Sequence, residues 1–125
     1  MSWNTYVENL ENTSGVTKAA IYGLDGSPWA ASQGWTATPK QIQDIVKAFA
    51  DPSSLRASGI WLGEDKYFFL SSDSEVMRGK KGQNGVHICK TKSAIIIGYY
   101  EDPIQPGQCA KEVENVAEYL KGQNY

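Results

Sequence analysis

Two stretches narrow the possible folds more than anything else in the chain. Ala19-Ala20-Ile21-Tyr22-Gly23-Leu24 and Ala94-Ile95-Ile96-Ile97-Gly98-Tyr99-Tyr100 are almost continuously apolar, with no polar alternation. Runs of this length read as strands, and a strand apolar on both sides must be covered on both faces. Shorter runs lie between them at Ile60-Trp61-Leu62, Tyr67-Phe68-Phe69-Leu70, Glu75-Val76-Met77 and Val86-His87-Ile88-Cys89, with Gly, Ser and Asp clusters in the gaps. Short turns join neighbouring strands antiparallel. The pattern predicts an α/β fold of the α+β type, a central antiparallel meander sheet with helices on each face.

The helices are marked by caps and apolar stripes. Ser2 is a good N-cap, and Trp3, Tyr6, Val7 and Leu10 recur at helical spacing before Asn12-Thr13-Ser14-Gly15. Two large aromatics are more than a helix this short needs as an anchor, so Trp3 and Tyr6 read either as core or as a half-exposed flat surface. Asp25-Gly26 marks a hairpin turn that returns through Pro28-Trp29-Ala30-Ala31. Thr38-Pro39-Lys40-Gln41 combines a Thr cap, a first-turn proline and a Gln placed to close a capping box. Ile42, Ile45, Val46 and Phe49 form the stripe of that helix, Asp51-Pro52 stops it, and Ser53 to Ala57 adds a short turn. A last helix starts near Gly107 or Gln108 and ends at Gly122. Val113, Val116, Ala117 and Leu120 form its core stripe, Lys111, Glu114 and Glu118 point away from it, and Tyr119 sits on the flank.

A chain of 125 residues fits one domain, 1–125, without repeat or linker. No apolar run approaches the roughly 20 residues of a membrane span. The N-terminus lacks a basic-then-apolar signal pattern, so the cytosol is the expected compartment. Cys89 and Cys109 there are expected to be free, partly buried thiols. Catalytic chemistry is not indicated. His87 is the sole histidine, no orienting partner for a nucleophile is evident, and His87-x-Cys89 is two ligands short of a zinc site. Gly79-Lys80-Lys81-Gly82 lacks phosphate-loop spacing; it shares a Gly-x-x-Gly spacing with KH loops, but those join two helices. A binding module, with neither cofactor nor metal, fits better than an enzyme.

Charge points to where binding occurs. Residues 76–93 hold Arg78, Lys80, Lys81, Lys90 and Lys92 and no carboxylate. The net charge is −2, so setting this stretch's +5 aside leaves −7 on the remainder. Such asymmetry suits a docking face for an acidic protein, anionic lipid or nucleic acid, although a charge run alone is as often a solvated loop. Gly79, Gly82 and Gly85 permit tight turning, which predicts a β-hairpin carrying the charge at its tip.

In this order and at these spacings, the chain resembles profilin, the small actin-monomer-binding protein. The resemblance rests on Ser2-Trp3-x-x-Tyr6-Val7, Ala19-Ala20-Ile21-x-Gly23-Leu24-Asp25-Gly26-x-x-Trp29-Ala30, Arg78-Gly79-Lys80-Lys81-Gly82-x-x-Gly85-Val86, Ile104-x-Pro106-Gly107-Gln108 and Tyr119-Leu120-x-Gly122-Gln123. It spans the chain, and the Arg-Gly-Lys-Lys-Gly motif looks like the plant and amoeboid type. The resemblance implies that the terminal helices pack together on one face of the sheet and the 38–50 helix on the other. It implies a proline-rich ligand held by Trp3, Tyr6, Trp29, Tyr119, Leu120 and Tyr125. A polyproline II peptide has little entropy to lose, and flat rings pack on its pyrrolidines. It implies actin binding by Arg78, Lys80, His87, Cys89, Gly107 and Lys111 and, more loosely, Lys81, Lys90, Glu112 and Asn115. It implies phosphoinositide binding by Arg78, Lys80, Lys81, Lys90 and Lys92, since clustered cations suit multivalent phosphate headgroups, and this overlap makes lipid and actin competitors.

The expected protein is thus a cytoplasmic, cytoskeleton-associated monomer. It restrains actin nucleation, helps deliver subunits to filament ends and is recruited by proline-rich proteins such as formin-type nucleation and elongation factors. Two other readings stand beside this one. A nucleic-acid module using the basic hairpin is disfavoured by the net negative charge. An interaction domain that kept the proline groove but lost actin binding is compatible with the sequence, because affinity rests on a few side chains.

Overall fold

The computed structural model describes residues 2–125. At its centre β1 (Lys18–Gly23) and β7 (Ala94–Tyr100) pair antiparallel, placing Ile21 opposite Ile96 and Ala20 opposite Ile97. These are the two doubly apolar runs. Alternation sends Ala20, Tyr22, Ile95 and Ile97 to one side and Ala19, Ile21, Ala94, Ile96 and Tyr100 to the other. Both sets are buried.

The full sheet has seven strands in the order β2-β1-β7-β6-β5-β4-β3, with β2 (Pro28–Ala31), β3 (Ile60–Leu62), β4 (Asp65–Ser72), β5 (Val76–Lys81) and β6 (Asn84–Lys90). Every pairing is antiparallel. Strands β3 to β7 form the expected meander. The β1–β2 hairpin is added beside β7, so the chain crosses from one sheet edge to the other between β2 and β3. That crossing carries α2 (Pro39–Ala50) and α3 (Ser53–Ser58), whose Ile42, Ile45, Phe49 and Leu55 cover one face. The start of α2 is fixed as the sequence predicts. Thr38 accepts from the Gln41 N–H, and the Gln41 side chain accepts from Thr38 N–H.

The other face is covered by α1 (Trp3–Glu11) and α4 (Pro106–Gly122). Val7 and Leu10 of α1 meet Cys109, Val113, Ala117 and Leu120 of α4 over the β1–β7–β6 surface. The two terminal helices are therefore neighbours, as the resemblance implied. Helix α4 begins at Pro106, just before the start near Gly107 or Gln108 read from the sequence, and the Gln108 side chain accepts from the Gln105 N–H across its first turn. Both cysteines are free and buried, and burial pushes each thiol up to about 12.

Gly98 sets how closely α4 approaches. A Cβ there would overlap Val113 Cγ2 and come within 3.1 Å of Cys109 Sγ. Gly98→Ala is expected to cost about 1–3 kcal/mol in urea unfolding, as overpacking does. Gly107→Ala has open space around it and is expected to stabilise by about 0.4–1 kcal/mol. Equal effects from the two would mean that α4 does not rest on Gly98.

Candidate functional site

One candidate surface is aromatic. Ser2 caps α1 by accepting from the Thr5 N–H, and this fixes Trp3 in the first turn. One helical turn on, Tyr6 lies 5.5 Å from Trp3, centroid to centroid. Trp29 of β2 lies 4.6 Å from Trp3, Tyr125 stands edge-on to it at 5.0 Å, and Tyr119 of α4 lies 6.0 Å from Tyr6. The rings form a stripe from Tyr119 through Tyr6 and Trp3 to Trp29 and Tyr125. Trp3, Tyr6 and Trp29 are half-buried, while Tyr119 and Tyr125 are 51% and 42% exposed. Burial, with the Tyr119 hydroxyl beside it, raises the Tyr6 hydroxyl above its ordinary value.

Tyr125 is held by its backbone. Its N–H donates to Leu120 O at 2.9 Å, and its main-chain oxygen accepts from Thr91 Oγ1 at 2.8 Å and from the Ser93 N–H. Leu120 differs from the other five groove residues. Its side chain is fully buried with Val7 and Ile96, so it supports the stripe from beneath and offers it no surface.

The second candidate surface is the sheet beyond α4. The helix covers chiefly β6 and β7, with Val76 of β5 at its margin. On the same face, β4 and β5 are left open. Phe68 pairs with Lys80, and Arg78 pairs with Ser71 and with His87. Phe68 and Leu70 are 69% and 56% exposed. Lys66 Nζ lies 5.8 Å above the Phe68 ring and Lys80 Nζ 5.6 Å above that of Tyr100. The result is an apolar centre rimmed by cations. The reading from the sequence counted Phe68 and Leu70 only as strand residues. The available signal was four successive apolar side chains in a strand whose neighbours alternate, since one half of such a run must face outward unless it is covered.

Several predicted positions sit elsewhere than the sequence suggested. The charge is not gathered at the hairpin tip. Lys90 lies level with Glu75, at the base of the hairpin, about 17 Å along the strand from Lys80. Lys92 follows it in the next turn. Lys81 alternates to the opposite face from Lys80 and pairs with Asp65 at 2.6 Å. Of the three hairpin glycines only Gly82 has positive φ, 61°. Gly79 and Gly85 are strand residues at close approaches, under Ile60 and the Tyr100 hydroxyl.

On α4, Lys111 and Asn115 are exposed, and Gly107 is exposed near its start. Glu112 turns to the other flank, toward Gly15 of the α1–β1 connection. His87 and Cys89 are 2% exposed beneath the helix, so neither side chain reaches a partner directly. Glu114, expected to point away, leans over His87 instead. Its Oε2 lies 2.7 Å from Nε2, yet off the direction in which a ring N–H would donate, so the contact is electrostatic. Burial lowers the His87 value from 6.5 despite the opposing pull of Glu114, and Arg78 adds to the lowering.

The profilin family model matches residues 1–125. The chain belongs to the profilin family. Profilin-1A of Acanthamoeba castellanii is 47% identical over the whole of both chains, and the profilin of Drosophila melanogaster is 41% identical over 96% of each. The solved structure of Acanthamoeba castellanii profilin IB superposes with a TM-score of 0.95 at 44% identity, covering 99% of this chain and 100% of that one. Mouse profilin IIa, solved in complex with a double repeat from the FH1 domain of mDia1, has a TM-score of 0.85 at 24% identity with full coverage of both chains, and shows the same fold. Within this profilin, no helix of the described residues is long and apolar enough to cross a membrane.

The His87 environment gives a signed pH dependence. A histidine lowered in the folded state contributes stability that is complete above its unfolded value of 6.5 and is lost as pH falls toward the folded value. Thermal unfolding between about pH 7 and pH 5.5 should therefore show a steeper loss in wild type than in His87→Asn, by at most about 1.4 kcal/mol per pH unit. Parallel curves would mean that His87 does not titrate beneath α4.

Proposed function

We propose that this profilin binds monomeric actin through the open β4–β5 face and the adjoining flank of α4, and binds proline-rich ligands along the aromatic stripe. The observation that carries the first part is the exposed Phe68–Leu70 centre beside Arg78, Lys80 and Lys66. A desolvated apolar centre with a charged rim is what a specific protein interface needs. A cationic rim steers an acidic partner. Lys111 and Gly107 extend the surface along the helix. His87 and Cys89 act from below by seating α4, Glu114 leans over His87 from the helix flank, and Lys81 and Glu112 contribute least because they face away.

The stripe supports the second part. Its three central rings are half-buried and its two end rings exposed, and it is long enough for roughly five residues of polyproline II at ~3.1 Å each. Tyr and Trp keep a polar edge for the ligand's carbonyls. The protein acts as a cytoplasmic, cytoskeleton-associated monomer that restrains nucleation and brings actin to proline-rich nucleation and elongation factors, formin-type proteins among them. Phosphoinositide headgroups are met by Arg78 and Lys80 on the open face, with Lys90 and Lys92 a separate pair. No bond is made or broken in any of these steps.

An actin pelleting assay with this protein titrated against fixed actin is expected to raise supernatant actin in a dose-dependent way. Phe68→Asp and Lys111→Glu should each reduce that rise by tenfold or more in apparent affinity, while Trp3→Ala leaves it near wild type. In the same preparations Trp3→Ala should abolish the tryptophan fluorescence change on adding polyproline, and the other two should keep it. Loss of both activities in one folded variant would place them on a single surface and sink the two-site reading. Phosphatidylinositol 4,5-bisphosphate micelles added to the preformed complex should release actin, and actin retained at saturating lipid would separate the lipid and actin sites.

A further inference from the structure

The Tyr125 end of the aromatic stripe adjoins a basic depression that the proline-binding role leaves unused. The depression, about 390 Å3, is lined by Ser74, Glu75, Lys90, Thr91, Lys92 and Lys121. Two bonds tie it to the stripe. Thr91 Oγ1 and the Ser93 N–H both hold the main-chain oxygen of Tyr125. Lys92 lies between those two residues, so its backbone is fixed beside an aromatic end-residue of the groove. The three lysines are not equivalent. Lys121 is engaged, 3.0 Å from Glu75 and 3.2 Å from Glu118, and the Glu75 bond raises its pKa. Lys90 and Lys92 have no carboxylate within 4.0 Å among the described residues. The opposite corner of that end carries Asp25, close to Trp29, but its carboxylate already accepts from the Ser27 N–H and hydroxyl.

We propose that Lys90 and Lys92 read acidic residues flanking a proline-rich ligand at the Tyr125 end of the groove. This inference rests on the groove reading given above and adds a specificity to it. The Thr91 and Ser93 bonds to the Tyr125 main chain set the depression beside the end of the stripe, with Lys92 between them and Lys90 lining it at the end of β6. Carboxylates flanking the prolines of a peptide on the stripe meet two charges with no side-chain carboxylate within 4.0 Å among the described residues. Two exposed pairs of this kind together give about a two- to thirtyfold preference. The preference is ionic and falls with salt, whereas ring packing on prolines does not.

The test uses the full chain and fluorescence titration with proline decamers carrying a triplet of Glu, Ser or Lys at either end. The expected ranking at low salt is Glu above Ser above Lys for one of the two orientations. The gain should vanish at high salt, and also in the double variant Lys90→Gln/Lys92→Gln, with the Ser-flanked affinity unchanged. Glu- and Ser-flanked peptides of equal affinity in both orientations would overturn the proposal while leaving the groove in place. A gain that persists in the double variant overturns it too. Failure of the Ser-flanked peptide to bind at all would remove the groove reading itself. A parallel arm with vesicles containing phosphatidylinositol 4,5-bisphosphate covers the other anionic partner. Vesicle binding lost in the double variant, without any peptide gain, would assign these lysines to lipid and overturn the proposal.

Discussion

The contact on which most else depends is that of α4 with β7. Gly98 removes one side chain from the middle of the most apolar strand, and Val113 and Cys109 occupy the space. The helix can then lie low enough for Val113, Ala117 and Leu120 to be buried almost completely. A low helix leaves room for α1 beside it, so Trp3 and Tyr6 reach Tyr119 and Trp29. It also meets β5 at Val76 and leaves the rest of that strand open. Covering β6 and β7 closely is what leaves Phe68 and Leu70 uncovered, since a single helix about 10 Å across spans only two strands spaced about 4.8 Å apart. Both candidate surfaces follow from that one seat.

Beneath the same helix sits the least comfortable group in the core. His87 faces Glu114 and Cys109 on α4, Arg78 on the neighbouring strand and Cys89 two residues along its own. Desolvation keeps the ring toward its neutral form, so the Glu114 contact is not a full ion pair. Burying a polar ring without aligned partners costs free energy. The apolar contacts of Val113 and Ala117 around it offset that cost.

Much of the fold was legible because its signals were local and mutually consistent. The Thr38–Gln41 capping box, the Ser2 cap and the two non-alternating strands each carry their own physical reason, and all appear where expected. What escaped the sequence was relational. Whether Lys80 and Lys81 share a face depends on strand phase, and whether Lys80 and Lys90 share an end depends on hairpin register. Counting five cations within eighteen residues reveals neither. Glu114 was placed on the outer face by helical periodicity alone, but a long side chain on a flank can bend back toward a strand, and His87 gives it reason to. Phe68 and Leu70 were read as strand and not as surface because the limited width of α4 is a tertiary fact. The aromatic groove residues were the exception. The surplus of Trp3 and Tyr6 over structural need was visible before any coordinates, and Leu120, placed by periodicity on the core stripe, is buried there.

The geometry of α4 also constrains how the two candidate surfaces relate. Tyr119 and Glu112 lie on the flank toward α1 and its connection, whereas Lys111, Glu114 and Lys121 lie on the flank toward β5. At 100° per residue these flanks are separated by the buried stripe on one side and solvent on the other. A ligand on one flank therefore needs no side chain used by a ligand on the other. Two partners held at once on one small domain are coupled by proximity without any change of shape, each raising the local concentration of the other. Conformational coupling would require α4 to shift on Gly98, and the packing there leaves it little room to move.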